Sequence, residues 1–194
     1  LFDFIQKKVN LQHQELRGKN AHAFVWLDDP GLGLIFNALS GYNEVQAKDD
    51  LDHLLKGLEG PKGIHLCARP DWDFLLRSRM DILSFDSFSC GEMIVRYDSL
   101  KGFFGRGGII SWGIVPTYTE LLEEETVEAL TERLETFWED LVRKVVDKER
   151  LLHQSLLAPA TCNLLSPDKE KTVEKAFDVL KALSAKIRER YRLN

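Results

Sequence analysis

The chain has 194 residues, 44% of them hydrophobic, which is enough to bury a sizeable core and fits one globular domain spanning 1–194. A formal charge of −5 lacks the basic surface that phosphate neutralisation requires, so neither nucleic acid nor an anionic membrane is expected as partner. Three cysteines, an odd number at low density, argue against a disulfide-stapled secreted scaffold and for a reducing, cytoplasmic setting.

Leu1, Phe2, Ile5, Val9, Leu11 and Leu16 predict a first helix ending at Gly18. These first residues lack a signal-peptide pattern, and a start at leucine predicts that an N-terminal part is missing. Ala23 to Leu27 reads as a strand closed by the loop residues Asp28-Asp29-Pro30-Gly31. The uncharged stretch from Pro30 to Asn43 is shorter than the roughly 20 residues of a membrane span. A helix over about Val45 to Leu58 ends at Gly60-Pro61, and the apolar run from Lys62 to Cys67 is the second strand. Trp72 to Arg77 predicts a short helix, Asp81 to Phe85 a strand, Glu92 to Phe104 a helix and Ile109 to Val115 a strand. From Glu123 to Val146, apolar residues at three- and four-residue spacing predict a long amphipathic helix. Leu151 to Leu157 reads as the fifth strand, and Ser166-Pro167-Asp168 as the start signal of a terminal helix. Apolar strands alternating with amphipathic helices imply an α/β fold with a parallel sheet, either doubly wound or a β/α barrel. Five units would cover a little over half of an eight-unit barrel of about 250 residues.

Chemistry-bearing residues recur at strand ends. His65 and Cys67, separated by one residue, project to the same face of a strand. Asp86 follows the next strand and Cys162 the last. Imidazole, thiolate and carboxylate are zinc ligands, so His65, Cys67, Asp86 and Cys162 form a candidate set; the plainer reading makes them packed thiols and hydrogen-bonding groups. Asp28-Asp29-Pro30 could receive a substrate amine or simply fix a turn. Gly31-Leu32-Gly33 and Gly105-Arg106-Gly107-Gly108 lack phosphate-loop spacing and read as turns. Cys90 reads as a packed thiol, and Arg69, Arg77 and Arg79 as solvated positions that could otherwise hold carboxylates. Trp112 and Tyr118 suit an aromatic wall or the core. There is no nucleophile elbow, HExxH or dinucleotide fingerprint.

Taken in order, Leu27-Asp28-Asp29-Pro30-Gly31-Leu32, His65-Leu66-Cys67, Ile82 to Asp86, Trp112-Gly113-Ile114-Val115-Pro116 and Ala158-Pro159-Ala160-Thr161-Cys162 resemble a known pattern. It is that of the C-terminal part of the superfamily joining cobalamin-independent methionine synthase and uroporphyrinogen decarboxylase, in its short methionine-synthase-like members. The resemblance covers nearly the whole chain. It implies a TIM (β/α)8 barrel lacking roughly its first three units. It also implies that His65 and Cys67 are zinc ligands, that Asp86 stands where the family has glutamate, and that Cys162 lies at or next to the final cysteine. Asp28 or Asp29 would contact an amino-acid substrate. The shorter Asp86, and a Cys162 segment one residue longer than the family's, depart from the pattern.

The activity implied is zinc-dependent methyl transfer to a homocysteine-like thiol, with methyltetrahydrofolate or a methylated corrinoid, free or on a corrinoid protein, as donor. The alternatives are a metal-free decarboxylase-like enzyme acting on a polycarboxylate and a noncatalytic ligand-binding barrel. An incomplete barrel leaves two sheet edges open, so a homo-oligomer or a missing N-terminal segment is expected to cover them.

Overall fold

A computed structural model describes residues 1–37, 40–66, 71–161, 168 and 170–193, the side chain of Pro30 excepted. The first helix, α1 (Phe2–Arg17), leads into β1 (Val25–Asp28), followed by a 3-10 turn (Pro30–Leu34), α2 (Glu44–Lys56) and β2 (Lys62–Leu66). Then come α3 (Trp72–Arg77), β3 (Ile82–Phe85), α4 (Ser87–Ile94), α5 (Ser99–Gly105) and β4 (Ile109–Val115). The chain continues through α6 (Thr119–Glu124), α7 (Val127–Lys144), α8 (Lys148–His153), β5 (Ser155–Pro159) and α9 (Glu170–Tyr191).

Side-chain caps fix where many helices begin. Asn43, Asp71, Asp86, Thr126 and Asp147 each accept a hydrogen bond from a backbone N–H three residues on, at 2.8 to 3.1 Å. Each such bond satisfies an orphan donor of the first turn and contributes about 1 kcal/mol. Three expectations are corrected by these signals. The helix read from Glu92 to Phe104 is two, because Asp86 starts α4 early and the chain turns after Ile94 before α5. The helix read from Glu123 to Val146 is α6 and α7, divided at Glu125-Thr126 where Thr126 caps anew. Leu151 to His153 belong to α8, capped by Asp147, and the strand starts only at Ser155.

The five strands form one all-parallel sheet in the order β1-β2-β3-β4-β5. A doubly wound sheet reverses its order at a switch point, whereas this order follows the sequence throughout, which is compatible with a segment of a β/α barrel. On one face, the row Leu66, Phe85, Trp112 and Leu157 is aligned by register and packs under helices. Trp72 of α3 meets Phe85 edge-on at 4.9 Å, and Phe137 of α7 stacks on Trp112 at 6.4 Å. The strands β2 to β4 are buried along nearly their whole length. The outer strands are only half covered, and β1 and β5 each have one edge without a strand partner among the described residues. No described helix is long and apolar enough to cross a membrane.

Candidate functional site

Register places a second, polar row on the opposite face. Asp28 of β1 pairs with His65 of β2, His65 with Ser84 of β3, and Ser84 with Ser111 of β4. Residues aligned across adjacent strands share a face, so four polar side chains run across a sheet that is mostly apolar. His65 is 4% exposed, and its Nδ1 lies 2.9 Å from Ser84 Oγ. The Trp26 indole lies 6.1 Å from the imidazole, centroid to centroid, at 30°. Room for that indole comes from Gly63, where a Cβ would stand 2.6 Å from Trp26 Cβ.

Burial holds the His65 pKa below the usual histidine value, with the Asp28 and Asp86 carboxylates pulling it the other way. The ring is therefore neutral at neutral pH. The neutral ring has one N–H and one lone pair, and the Ser84 hydroxyl, which both donates and accepts, engages Nδ1 in either tautomer.

The two aspartates after β1 are separated by their contacts. Asp29 Oδ1 accepts from Gly31 N at 2.9 Å and caps the 3-10 turn, and its own N–H donates to His65 O at 3.3 Å. Asp29 is thus spent on the turn, whereas Asp28 is exposed and stands in the polar row beside His65. Asp86 is half-buried and caps α4, with Oδ1 accepting from Ser89 N at 2.9 Å.

Cys67 and Cys162, two of the four predicted zinc donors, lie outside the described residues, as does Arg69. Among the described residues no three His, Cys, Asp or Glu side chains could hold a metal together. The described half of the donor set suits zinc in its chemistry: a buried neutral imidazole whose second nitrogen is held by a hydrogen bond, and a carboxylate at the end of the adjacent strand.

The remaining candidates are elsewhere. Cys90 is buried on α4. Trp112 is fully buried in the core, its Nε1 donating to Ser155 Oγ at 3.0 Å, so it forms no wall; Tyr118 is exposed after β4. Arg77 pairs with Asp73 within α3, and Arg79 approaches Asp52 at 3.7 Å, both from exposed positions. The segment around Gly31 is the 3-10 turn, and that around Gly107 is a turn with φ of 90°. Sequence reasoning missed Trp26, Ser84 and Ser111. Part of the signal for the serines was present: each is a lone hydroxyl inside a strongly apolar strand, and Ser84 is in step with Asp86 by alternation, whereas the alignment of Ser111 comes only from register.

No model of a known protein family matches the chain, and no curated protein matches it.

Proposed function

We propose that the chain carries a methyl-transfer site for a thiol substrate on part of a (β/α)8 barrel of the methionine-synthase and uroporphyrinogen-decarboxylase type. The observation that carries this reading is the buried, neutral His65 at the C-terminal end of β2, tethered through Nδ1 and flanked by the aspartates that end β1 and follow β3. Parallel α/β sheets place their sites at this end of the strands.

His65, with Cys67, Cys162 and Asp86, would hold zinc. Zinc in such a set keeps a bound thiol ionised near neutral pH and thereby nucleophilic. Burial of His65 maintains the unprotonated imidazole that ligation needs. Asp28, exposed beside His65, receives the ammonium group of an amino-acid thiol and fixes the sulfur's direction of approach. The methyl group passes to that sulfur as its bond to the donor, methyltetrahydrofolate or a methylated corrinoid, breaks. Cys67→Ser in the full chain should lower zinc content and thiol methylation together; unchanged zinc and turnover would remove Cys67, and with it this reading.

A further inference from the structure

We propose that Trp26 and Asp28 form a seat for an alkylated cation, an ammonium or sulfonium group, on the face of β1 that carries the polar row. The proposal deepens the substrate half of the reading above, because it says which kind of cationic group Asp28 receives, and it needs neither zinc nor the two cysteines. Trp26 and Asp28 stand two apart on β1 and so project to one face, opposite Gly63 and His65 of β2. The Trp26 backbone is level with Gly63, yet its indole lies 6.1 Å from the His65 ring, which is level with Asp28. The indole therefore leans along the strand toward the carboxylate. Phe24 meets it edge-on at 5.6 Å and 61°, which steadies the ring. Both members of the pair reach solvent: Trp26 is 38% exposed, and the exposed Asp28 carboxylate has no hydrogen-bond or ion-pair partner among the described residues.

A primary ammonium carries three N–H donors and seeks three acceptors, whereas this pair supplies one carboxylate and an aromatic surface. A ring face attracts a cation whose charge is spread over alkyl groups and which sheds its water readily. The charged side chains lining the groove beside the indole are Glu15 and Lys19, of opposite sign, so the excess charge at the seat is that of Asp28. Carboxylate and indole together thus favour an alkylated cation over a bare ammonium, and over an uncharged group of the same shape.

The test is calorimetric titration of the full chain, as purified, with three probes: choline, ethanolamine, and the uncharged isostere of choline in which carbon replaces nitrogen. Choline should bind about tenfold more tightly than either of the others. Trp26→Ala should weaken choline binding about tenfold and Trp26→Phe less, while Asp28→Asn should weaken choline and leave the isostere unchanged. Equal binding of choline and its isostere, or a folded Trp26→Ala that binds choline as the wild type does, would overturn the proposal. If Trp26→Ala does not fold, proton–nitrogen NMR of the wild type decides the matter. Choline should shift the Trp26 indole resonance, identified by its absence in Trp26→Phe, and an unmoved resonance overturns the seat. A wild type that takes up zinc but binds no choline overturns the seat and leaves the zinc reading standing; choline binding without zinc supports the seat and overturns the zinc reading alone.

Discussion

Adding a single methyl group at Gly113 should destabilise the whole frame of the site. Gly113 lies on β4 where the pairing with β5 shifts register, and a Cβ there would collide with Phe85 O of β3 while standing 3.0 Å from both Ala160 Cα and Pro159 O. All three obstacles are backbone atoms of neighbouring strand ends, so no side chain can rotate away; the strands themselves must separate. Overpacking of a tight core costs typically 1–3 kcal/mol, and backbone contact on both sides puts Gly113→Ala at about 3 kcal/mol. For a chain of this size that corresponds to a fall of about 6–12 °C in melting temperature. Gly102→Ala is the control. Gly102 is exposed inside α5 with nothing within 4 Å of a Cβ, so alanine should stabilise by about 0.5–1 kcal/mol through helix propensity. Thermal unfolding followed by circular dichroism reads both variants. A Gly113→Ala protein melting with the wild type would refute the packing argument.

Because the folded state keeps His65 unprotonated below the usual histidine pKa, its contribution is intact above pH 6.5 and declines as pH falls, where the unfolded chain takes up a proton the folded chain resists. Urea unfolding from about pH 7 to about pH 5 should therefore show a loss of stability that is smaller in His65→Gln; identical slopes would contradict the burial argument. Asp28→Asn should raise KM for an amino-acid thiol about tenfold without moving the melting temperature, whereas Asp29→Ala, which removes a turn cap, should lower melting by about 2–4 °C. The reverse pattern would exchange their roles. Trp112→Phe empties part of a fully buried site and removes the indole hydrogen bond to Ser155 Oγ, which keeps its own bond to Leu151 O, so a loss of about 2 kcal/mol is expected in denaturant titration, and a loss below about 0.5 would contradict its place in the core.

Much of the fold was legible in the sequence because strands and helices here follow their hydrophobic patterns closely. Trp72 to Arg77 matched α3, and all five strands fell within a few residues of their predicted places. Errors came where polar caps overrode apolar periodicity: Thr126 starts α7 afresh inside what was read as one helix from Glu123 to Val146, and Asp147 draws Leu151 and Leu152 into α8. Strand order was not legible, since period alone does not distinguish a sequential sheet from one that reverses. The site was half legible. His65 and Asp86 announced themselves by residue type at strand ends, but the Asp28–His65–Ser84–Ser111 row depends on register across four strands, which spacing along one chain cannot supply. Separating Asp28 from Asp29 likewise required the hydrogen bond to Gly31.

The central claim, zinc held at the His65 end of β2, is tested most directly by elemental analysis of the anaerobically purified full chain with zinc supplied during expression. The account predicts close to one zinc per chain, removed by His65→Ala. No zinc in the wild type, or full zinc content in His65→Ala, would contradict it.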